Sequence, residues 1–185
     1  PEGMHIPEHN LDLSRPGPWS SVMVGGEGNR YKVTGALSSV AVQARLLRRV
    51  DEIPPSLALA QAAIESGWGT SRFALEGNSL FGQWTWRQSA GITPANRSDG
   101  ERHAVRAFPD LQASVHAYFV NLNTHGAYRR FRRLRAQMRA AGQPLNAEQL
   151  ADGLSHYSQR GNEYVAEVKA MILANRLMHH LRDVR

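Results

Sequence analysis

Several features are missing from this chain of 185 residues, and each absence excludes a kind of site or segment. It contains no cysteine, which excludes disulfides and thiolate metal sites. No apolar run is long enough to cross a bilayer, so we expect no membrane span. The eight histidines include no H-E-x-x-H pair, and Ser66 lacks the G-x-S-x-G context of a serine nucleophile. The sequence therefore predicts chemistry that needs no metal and no other cofactor.

Acidic residues are the scarcer charged type. The chain has 16 Asp and Glu against 22 Lys and Arg, which gives a formal net charge of +6. A basic surface attracts polyanions such as nucleic acid, anionic lipid or an acidic cell-wall polymer. Because no nucleic-acid-binding motif is present, a nucleic-acid partner is not expected.

Many of the basic residues fall in one predicted helix, residues 128–141. Phe131, Leu134 and Met138 follow one another there at helical spacing. Two interpretations of the arginines on its other faces remain open: a solvated helix face, or electrostatic contact with an anionic envelope surface. These are Arg129, Arg130, Arg132, Arg133, Arg135 and Arg139.

The composition divides the chain into an arm and one domain. Residues 1–36 are rich in proline, glycine and polar residues, which predicts an extended N-terminal arm. Residues 37–185 carry enough apolar side chains for one core, so we expect a single domain. Its predicted class is α+β, mainly α. Turn formers separate short β-prone pieces between about 79 and 108, which predicts a small β-lobe inside a helical chain.

Helix signals flank the β-lobe on both sides. A first helix is expected from Ser38, ending before Pro54, and Gly67 is the natural stop of the second. Asp110 and Asn146 stand where N-caps of later helices would be. The residues that we expect these helices to bury include Val40, Ala44, Leu47, Val50, Leu57, Ala60, Ile64, Trp68, Leu111, Val115, Phe119, Leu122, Val165, Val168, Ile172 and Leu173.

Glu65 is the residue with the strongest chemical signal. It follows an apolar stretch near the predicted end of the second helix. Apolar neighbours and the negative end of the helix dipole both favour the protonated form, so both raise its pKa. A carboxyl that stays protonated near neutral pH can serve as a general acid. The alternative is an ordinary glutamate at a helix end, exposed to water.

The residues around Glu65 carry a family resemblance. The run Ala60-Gln61-Ala62-Ala63-Ile64-Glu65-Ser66-Gly67-Trp68-Gly69, followed by Asn78-Ser79-Leu80-Phe81-Gly82-Gln83-Trp84, closely resembles glycoside hydrolase family 73. Within this family of bacterial endo-β-N-acetylglucosaminidases, the chain is most similar to the Bax-type subgroup of Gram-negative bacteria. The resemblance extends from about Leu37 to about Leu177. It implies a lysozyme-like domain whose helical lobe and β-lobe flank a substrate cleft, with Glu65 as the catalytic glutamate.

The family pattern also implies a second carboxylate in the β-lobe, where this chain offers Asp99 and Glu101. Asp99 has another explanation, because Asp-Gly is itself turn chemistry. We therefore favour Glu101, which would leave the turn on a strand. An inverting mechanism and one assisted by the substrate's own acetamido group both remain open. The distance between the two carboxyl groups would help to choose between mechanisms, because roughly 6.5–9.5 Å leaves room for the water that an inverting enzyme activates.

Aromatic residues complete the expected site. Tyr157 resembles the active-site tyrosine of the family, although relatives often have Tyr-Ala-Thr-Asp-Pro-x-Tyr there, and this chain is one residue longer and lacks the proline. The alternative for Tyr157 is a core tyrosine on an amphipathic helix. Flat aromatic faces suit sugar rings. Trp84, Trp86 and Phe81 are therefore expected to bind substrate, together with Gln83 and Asp99, whereas Trp68 is expected in the core.

The sequence thus predicts a peptidoglycan hydrolase that cuts the β-1,4 bond after N-acetylglucosamine. The substrate implies a periplasmic or exported protein. A muramidase or lytic transglycosylase on the same type of scaffold is one alternative, and a non-catalytic cell-wall-binding module is another.

Overall fold

The computed structural model describes residues 31–36, 38–95 and 102–177, which fall into two compact units. The first unit ends at Leu47 and the second begins at Arg48. Of the predicted N-terminal arm, residues 1–30 lie outside the described part. Helix α1 (Val40–Arg49) crosses the boundary between the units and buries Leu46. The expected burial of Val40, Ala44 and Leu47 was wrong: all three are exposed, because the buried face of the helix passes through Leu46, and Leu47 beside it is 48% exposed.

The second unit is mainly helical. Its longer helices are α2 (Pro55–Ser66), α4 (Leu111–Thr124), α5 (Arg129–Ala140) and α7 (Asn162–Ala174), and the short ones are α3 (Arg72–Gly77) and α6 (Ala147–Ala151). Single 3₁₀ turns occupy Gln88–Ala90 and Gly126–Tyr128. Within the described ranges, no helix is both long and apolar enough to pass through a bilayer.

The helix ends follow the local chemistry that the sequence predicts. Pro55 occupies the first turn of α2, where a missing N–H costs nothing, and Gly67 ends the helix in the left-handed conformation (φ 57°). Asp110 and Asn146 cap α4 and α6, because their side chains accept the N–H groups of Ala113 and Gln149 at 2.6 and 2.9 Å. These four expectations are confirmed.

In the sequence, a small antiparallel sheet comes between α3 and α4. Its strands are β1 (Trp84–Thr85), β2 (Gly91–Ile92) and β3 (Ala104–Arg106), with β3 in the centre. Val105 pairs with Trp84 on one side and with Ile92 on the other. The predicted class, α+β and mainly α, is therefore confirmed. The predicted Asp99-Gly100 turn lies outside the described residues.

The core of the second unit is built from α2, α4, α5, α6 and α7, with α7 packed on α2 and α6. Leu57, Leu122, Phe131 and Val168 are completely or almost completely buried, as the helical spacing predicts. Three other expectations were wrong, because Trp68, Leu111 and Leu173 are 63%, 51% and 60% exposed. For Trp68 the reason is that α2 ends at Ser66, so the helical stripe does not continue to position 68.

The arginines of α5 are not all solvated. Arg135 is 1% exposed and donates to the carbonyls of Arg48, Asp51 and Glu52, to the Asn123 side chain and to the Asp51 carboxylate. Arg132 is also buried and donates to the carbonyls of Leu122 and His125 at the end of α4. Carbonyls at a helix end have no partner within the helix, so a buried guanidinium can satisfy several at once. A fully solvated arginine face was therefore wrong for these two positions.

Candidate active site

Glu65 lies in the last turn of α2, one residue before the end of the helix. Its side chain is half-buried, neither enclosed in the core nor free in solvent. The chain passes close to it again at Gly82, where a Cβ would lie 3.4 Å from Glu65 Oε2. Gly82 has a φ of +58°, which favours glycine, so both the conformation and the space suit a residue without a side chain.

The environment of Glu65 raises the pKa of its carboxyl above the ordinary value. Burial is the main cause, because it penalises the charged form, and the nearby Glu167 acts in the same direction. Hydrogen bonding with Tyr164 and the charge of Arg160 oppose this by lowering the pKa. Arg160 and Glu167 form an ion pair with each other, so their effects on Glu65 partly offset. The predicted direction of the shift is confirmed, with burial as its leading cause.

Four tyrosines, which we call the tyrosine cluster, interact with this carboxyl, and the ring of one, Tyr157, contacts the other three: Tyr118, Tyr128 and Tyr164. Burial is the main reason why the pKa of each is raised, and the charge of Glu65 raises all four further. A phenol that remains neutral donates a proton without adding charge. The cluster therefore gives Glu65 a neutral surrounding of hydroxyl groups and aromatic rings.

Within the cluster, Tyr157 connects two parts of the site. Its ring stacks on Tyr164 with centroids 5.4 Å apart, and its hydroxyl donates to the Phe81 carbonyl at 3.2 Å. That carbonyl immediately precedes Gly82, which faces Glu65. The structure thus brings Tyr157 and Glu65 into one site, as predicted. Tyr157 is only partly buried and packs on the core with one side.

Sequence reasoning missed three members of the site: Gln61, Tyr118 and Tyr164. All three are fully buried, and they are joined by hydrogen bonds from Tyr118 to Gln61 at 2.7 Å and from Gln61 to Tyr164 at 2.8 Å. A signal for Gln61 was available. It precedes Glu65 by four residues on one helix, which puts both side chains on the same face. The sequence offered no comparable signal for Tyr118, because its partners are distant in the chain.

The aromatic residues expected to contact sugar separate into two groups. Trp84 and Trp86 are 60% and 76% exposed, and both lie against His103, Trp84 by stacking at 4.3 Å and Trp86 edge-on at 6.3 Å. Phe81, in contrast, is 3% exposed and stacks on Tyr118 at 4.0 Å. A direct contact between sugar and the Phe81 ring does not fit this burial, because the ring belongs to the buried core.

The remaining expected residues give less information. Gln83 is half-buried, and its carbonyl accepts the Arg106 N–H at 2.7 Å, so its backbone connects to the sheet. Asp99 and Glu101 lie outside the described residues. In the part of the chain that the structure describes, no group of three acidic or histidine side chains could hold a metal ion.

Comparison with known proteins gives the family. A family model described as mannosyl-glycoprotein endo-beta-N-acetylglucosaminidase matches residues 41–177, which include Glu65 and the whole tyrosine cluster. The chain belongs to this glucosaminidase family. The predicted resemblance to Bax-type members of glycoside hydrolase family 73 is confirmed, because the chain is 41% identical over 130 residues to Protein bax of Escherichia coli (strain K12).

The match covers only part of each protein. The alignment covers 70% of this chain and 46% of Protein bax, so the chain spans less than half the length of that relative. No solved structure matches the chain. Glucosaminidase-family membership makes this a glycoside-hydrolase-type domain.

Proposed function

We propose that the chain hydrolyses peptidoglycan at the β-1,4 bond after N-acetylglucosamine, with Glu65 as the general acid. The observation that carries the proposal is the state of Glu65. Its carboxyl is half-buried among neutral phenols, and burial raises its pKa, which favours the protonated form. An acid in glycoside hydrolysis must hold a proton until it passes it to the leaving oxygen.

A second group has to activate a water or stabilise the oxocarbenium-like centre. We propose Glu101 for this role, with Asp99 as the alternative. Tyr157 would orient the acetamido group of the sugar or an intermediate, since its fixed hydroxyl is held near the carboxyl of Glu65. Parallel measurement of Glu101→Gln and Asp99→Asn distinguishes the two carboxylates, because loss of turnover is expected from the first and not from the second.

Two surface features fit a cell-wall glycan. Trp84 and Trp86 present flat, exposed aromatic faces, which suit the apolar faces of pyranose rings. Arg129, Arg130 and Arg133 are exposed on α5, so they are available for electrostatic contact with an anionic envelope surface. A peptidoglycan substrate would place the protein in the periplasm or outside the cell.

The test is product analysis on purified sacculi. Mass spectrometry of the digest should find N-acetylglucosamine at the new reducing ends. Reducing-end N-acetylmuramic acid would identify a muramidase instead, and 1,6-anhydro ends would identify a lytic transglycosylase. Either result would overturn the proposed bond. A wild-type protein that binds sacculi without any turnover would support the non-catalytic module.

The role of Glu65 needs a variant and a matched control. Glu65→Gln keeps the shape of the side chain but cannot donate the proton, so turnover should fall by about 10²–10⁴-fold or more while glycan binding stays nearly unchanged. Glu76→Gln makes the same substitution at an exposed position on α3 and should retain full turnover. Equal activity of the two variants would remove Glu65 from the mechanism.

A further inference from the structure

A chain of buried hydrogen bonds joins Tyr118, Gln61 and Tyr164, and Gln61 lies one helical turn before Glu65 on α2. The Tyr118 hydroxyl donates to Gln61 Oε1 at 2.7 Å, and Gln61 Nε2 donates to the Tyr164 hydroxyl oxygen at 2.8 Å. All three side chains are completely buried. Tyr164 in turn is the hydroxyl whose hydrogen bonding acts on Glu65. The partially exposed carboxyl is thus coupled to Tyr164, the last member of a relay that water does not reach.

The direction of the relay follows from the donors and acceptors. Because the Tyr164 oxygen accepts from Gln61, the Tyr164 proton is free to turn towards Glu65. If the Gln61 amide were reversed, Tyr164 would donate to Gln61 and turn its proton away from Glu65. With the amide reversed, the buried Tyr118 hydroxyl would face the Gln61 NH2 group instead of Oε1 and would lose its hydrogen-bond acceptor. An unsatisfied buried donor costs its full desolvation, so Tyr118 favours the observed amide orientation.

We propose that Gln61 is a positioning residue: it fixes the Tyr164 hydroxyl as a hydrogen-bond donor to the Glu65 carboxyl, and Tyr118 fixes Gln61. The proposal rests on the proposed function of Glu65 and adds residues that do not contact substrate. A donor on the inner side of the carboxyl holds it in one orientation. The acidic proton then lies on the side of the carboxyl that faces away from the relay, where a glycosidic oxygen would approach.

The relay also acts on the pKa of Glu65, in the opposite direction to burial. Donation by Tyr164 stabilises the ionised carboxylate, so it lowers the pKa. The other groups that act on Glu65 are the charges of Arg160 and Glu167, and it also interacts with the neutral phenols of Tyr118, Tyr128 and Tyr157. Of these groups only Tyr118 bonds Gln61, and it belongs to the same relay. A change at Gln61 therefore acts on the acid through Tyr164.

The experiment titrates Glu65 directly by NMR of the ¹³C-labelled side-chain carboxyl, with Glu65→Gln used to assign the signal. Tyr164→Phe removes the donor, so the titration midpoint should rise. Gln61→Met keeps the side-chain length but releases Tyr164, and it should move the midpoint in the same direction. The double variant should move it no further than Tyr164→Phe alone, because both substitutions break one relay. The basic limb of the pH profile of kcat/KM should shift in parallel.

The matched control is Tyr128→Phe, which removes a hydroxyl from the same cluster but from outside the relay, and it should leave the midpoint near its wild-type value. A folded Gln61→Met protein with an unchanged midpoint would overturn the proposal, and so would additive shifts in the double variant. If Gln61→Met does not fold, Tyr118→Phe decides: a smaller upward shift supports the relay, and no shift overturns it. Because the titration needs no turnover, failure of the relay can be told apart from failure of the proposed function.

Discussion

Arg135 and Glu65 are both ionisable side chains withdrawn from water in the helical part of the second unit, yet their surroundings differ. Arg135 is 1% exposed and meets three backbone carbonyls, the Asn123 side chain and the carboxylate of Asp51. Burial lowers the pKa of Arg135 to about 10, which leaves it charged at neutral pH. Glu65 is less buried but has fewer partners, and its pKa is raised.

The two residues differ in how many partners each charge has and in how far the ordinary pKa lies from neutral pH. A buried charge that finds all its partners stabilises the chain segments that supply them, here the end of α1 and the loop before α2. A buried charge with few partners shifts towards its neutral form instead and keeps a proton that it can transfer. The same desolvation therefore produces a structural residue at position 135 and a candidate acid at position 65.

The largest expected effect tests the structural side of this comparison. Arg135→Met fills similar space but removes the donor to the carbonyls of Arg48 and Glu52 and one of the two arginines paired with Asp51, so the free energy of unfolding should fall by about 3–5 kcal/mol. Urea denaturation measures it. Arg133→Met, at an exposed position of the same helix, should stay within about 0.5 kcal/mol of wild type. Similar values for the two variants would mean that the bonds of Arg135 contribute little.

An intermediate effect is expected from Gly82→Ala, which tests the space beside Glu65. A non-glycine residue in the left-handed conformation costs about 1–2 kcal/mol, and the new methyl group would lie 3.4 Å from Glu65 Oε2. Both stability and turnover should therefore fall. Gly142→Ala is the matched control, because Gly142 has a similar φ of +63° but nothing within 4 Å of a Cβ. It should lose the same stability and no activity.

If both glycine variants keep full turnover, the approach of Gly82 to the carboxyl has no part in the reaction. If both lose turnover equally, the loss reflects stability rather than the position of the methyl group. Only a loss of turnover confined to Gly82→Ala supports a role in the reaction for the Glu65 carboxyl beside Gly82.

The sequence predicted well what local chemistry decides. Pro55, Gly67, Asp110 and Asn146 set helix ends through their own backbone or side-chain groups, and the structure agrees at all four. Choices between neighbouring side chains were harder. Leu46 is buried and the adjacent Leu47 is not, and no local pattern distinguishes these two leucines.

The same difference between local chemistry and distant contacts explains why only part of the site could be predicted. Glu65 was identified because its apolar neighbours are adjacent in the chain. Gln61 is near it in sequence, but its role depends on Tyr118 and Tyr164, which are 57 and 103 residues away. The burial of Phe81 likewise depends on its stacking against Tyr118. Residues that meet only through the fold were the ones that sequence patterns did not reveal.

The smallest expected effect concerns the stability contributed by Glu65 itself. Because its folded pKa is raised above the ordinary value of 4.5, the folded state binds the proton more tightly than the unfolded state does. The contribution of Glu65 to wild-type stability should therefore be greatest below pH 4.5 and be lost as the pH rises through its folded pKa. Glu65→Gln stays neutral throughout, so it should gain stability relative to wild type over this range.

Urea midpoints at a series of pH values from 4 to 8 would measure this difference, with Glu76→Gln as the exposed control that should track wild type. A Glu65→Gln variant that loses stability relative to wild type as the pH rises would mean that the folded state favours the charged carboxylate. Glu65 would then be a compensated charge like Arg135. The contrast between the two residues, and with it the case for an acid at position 65, would not hold.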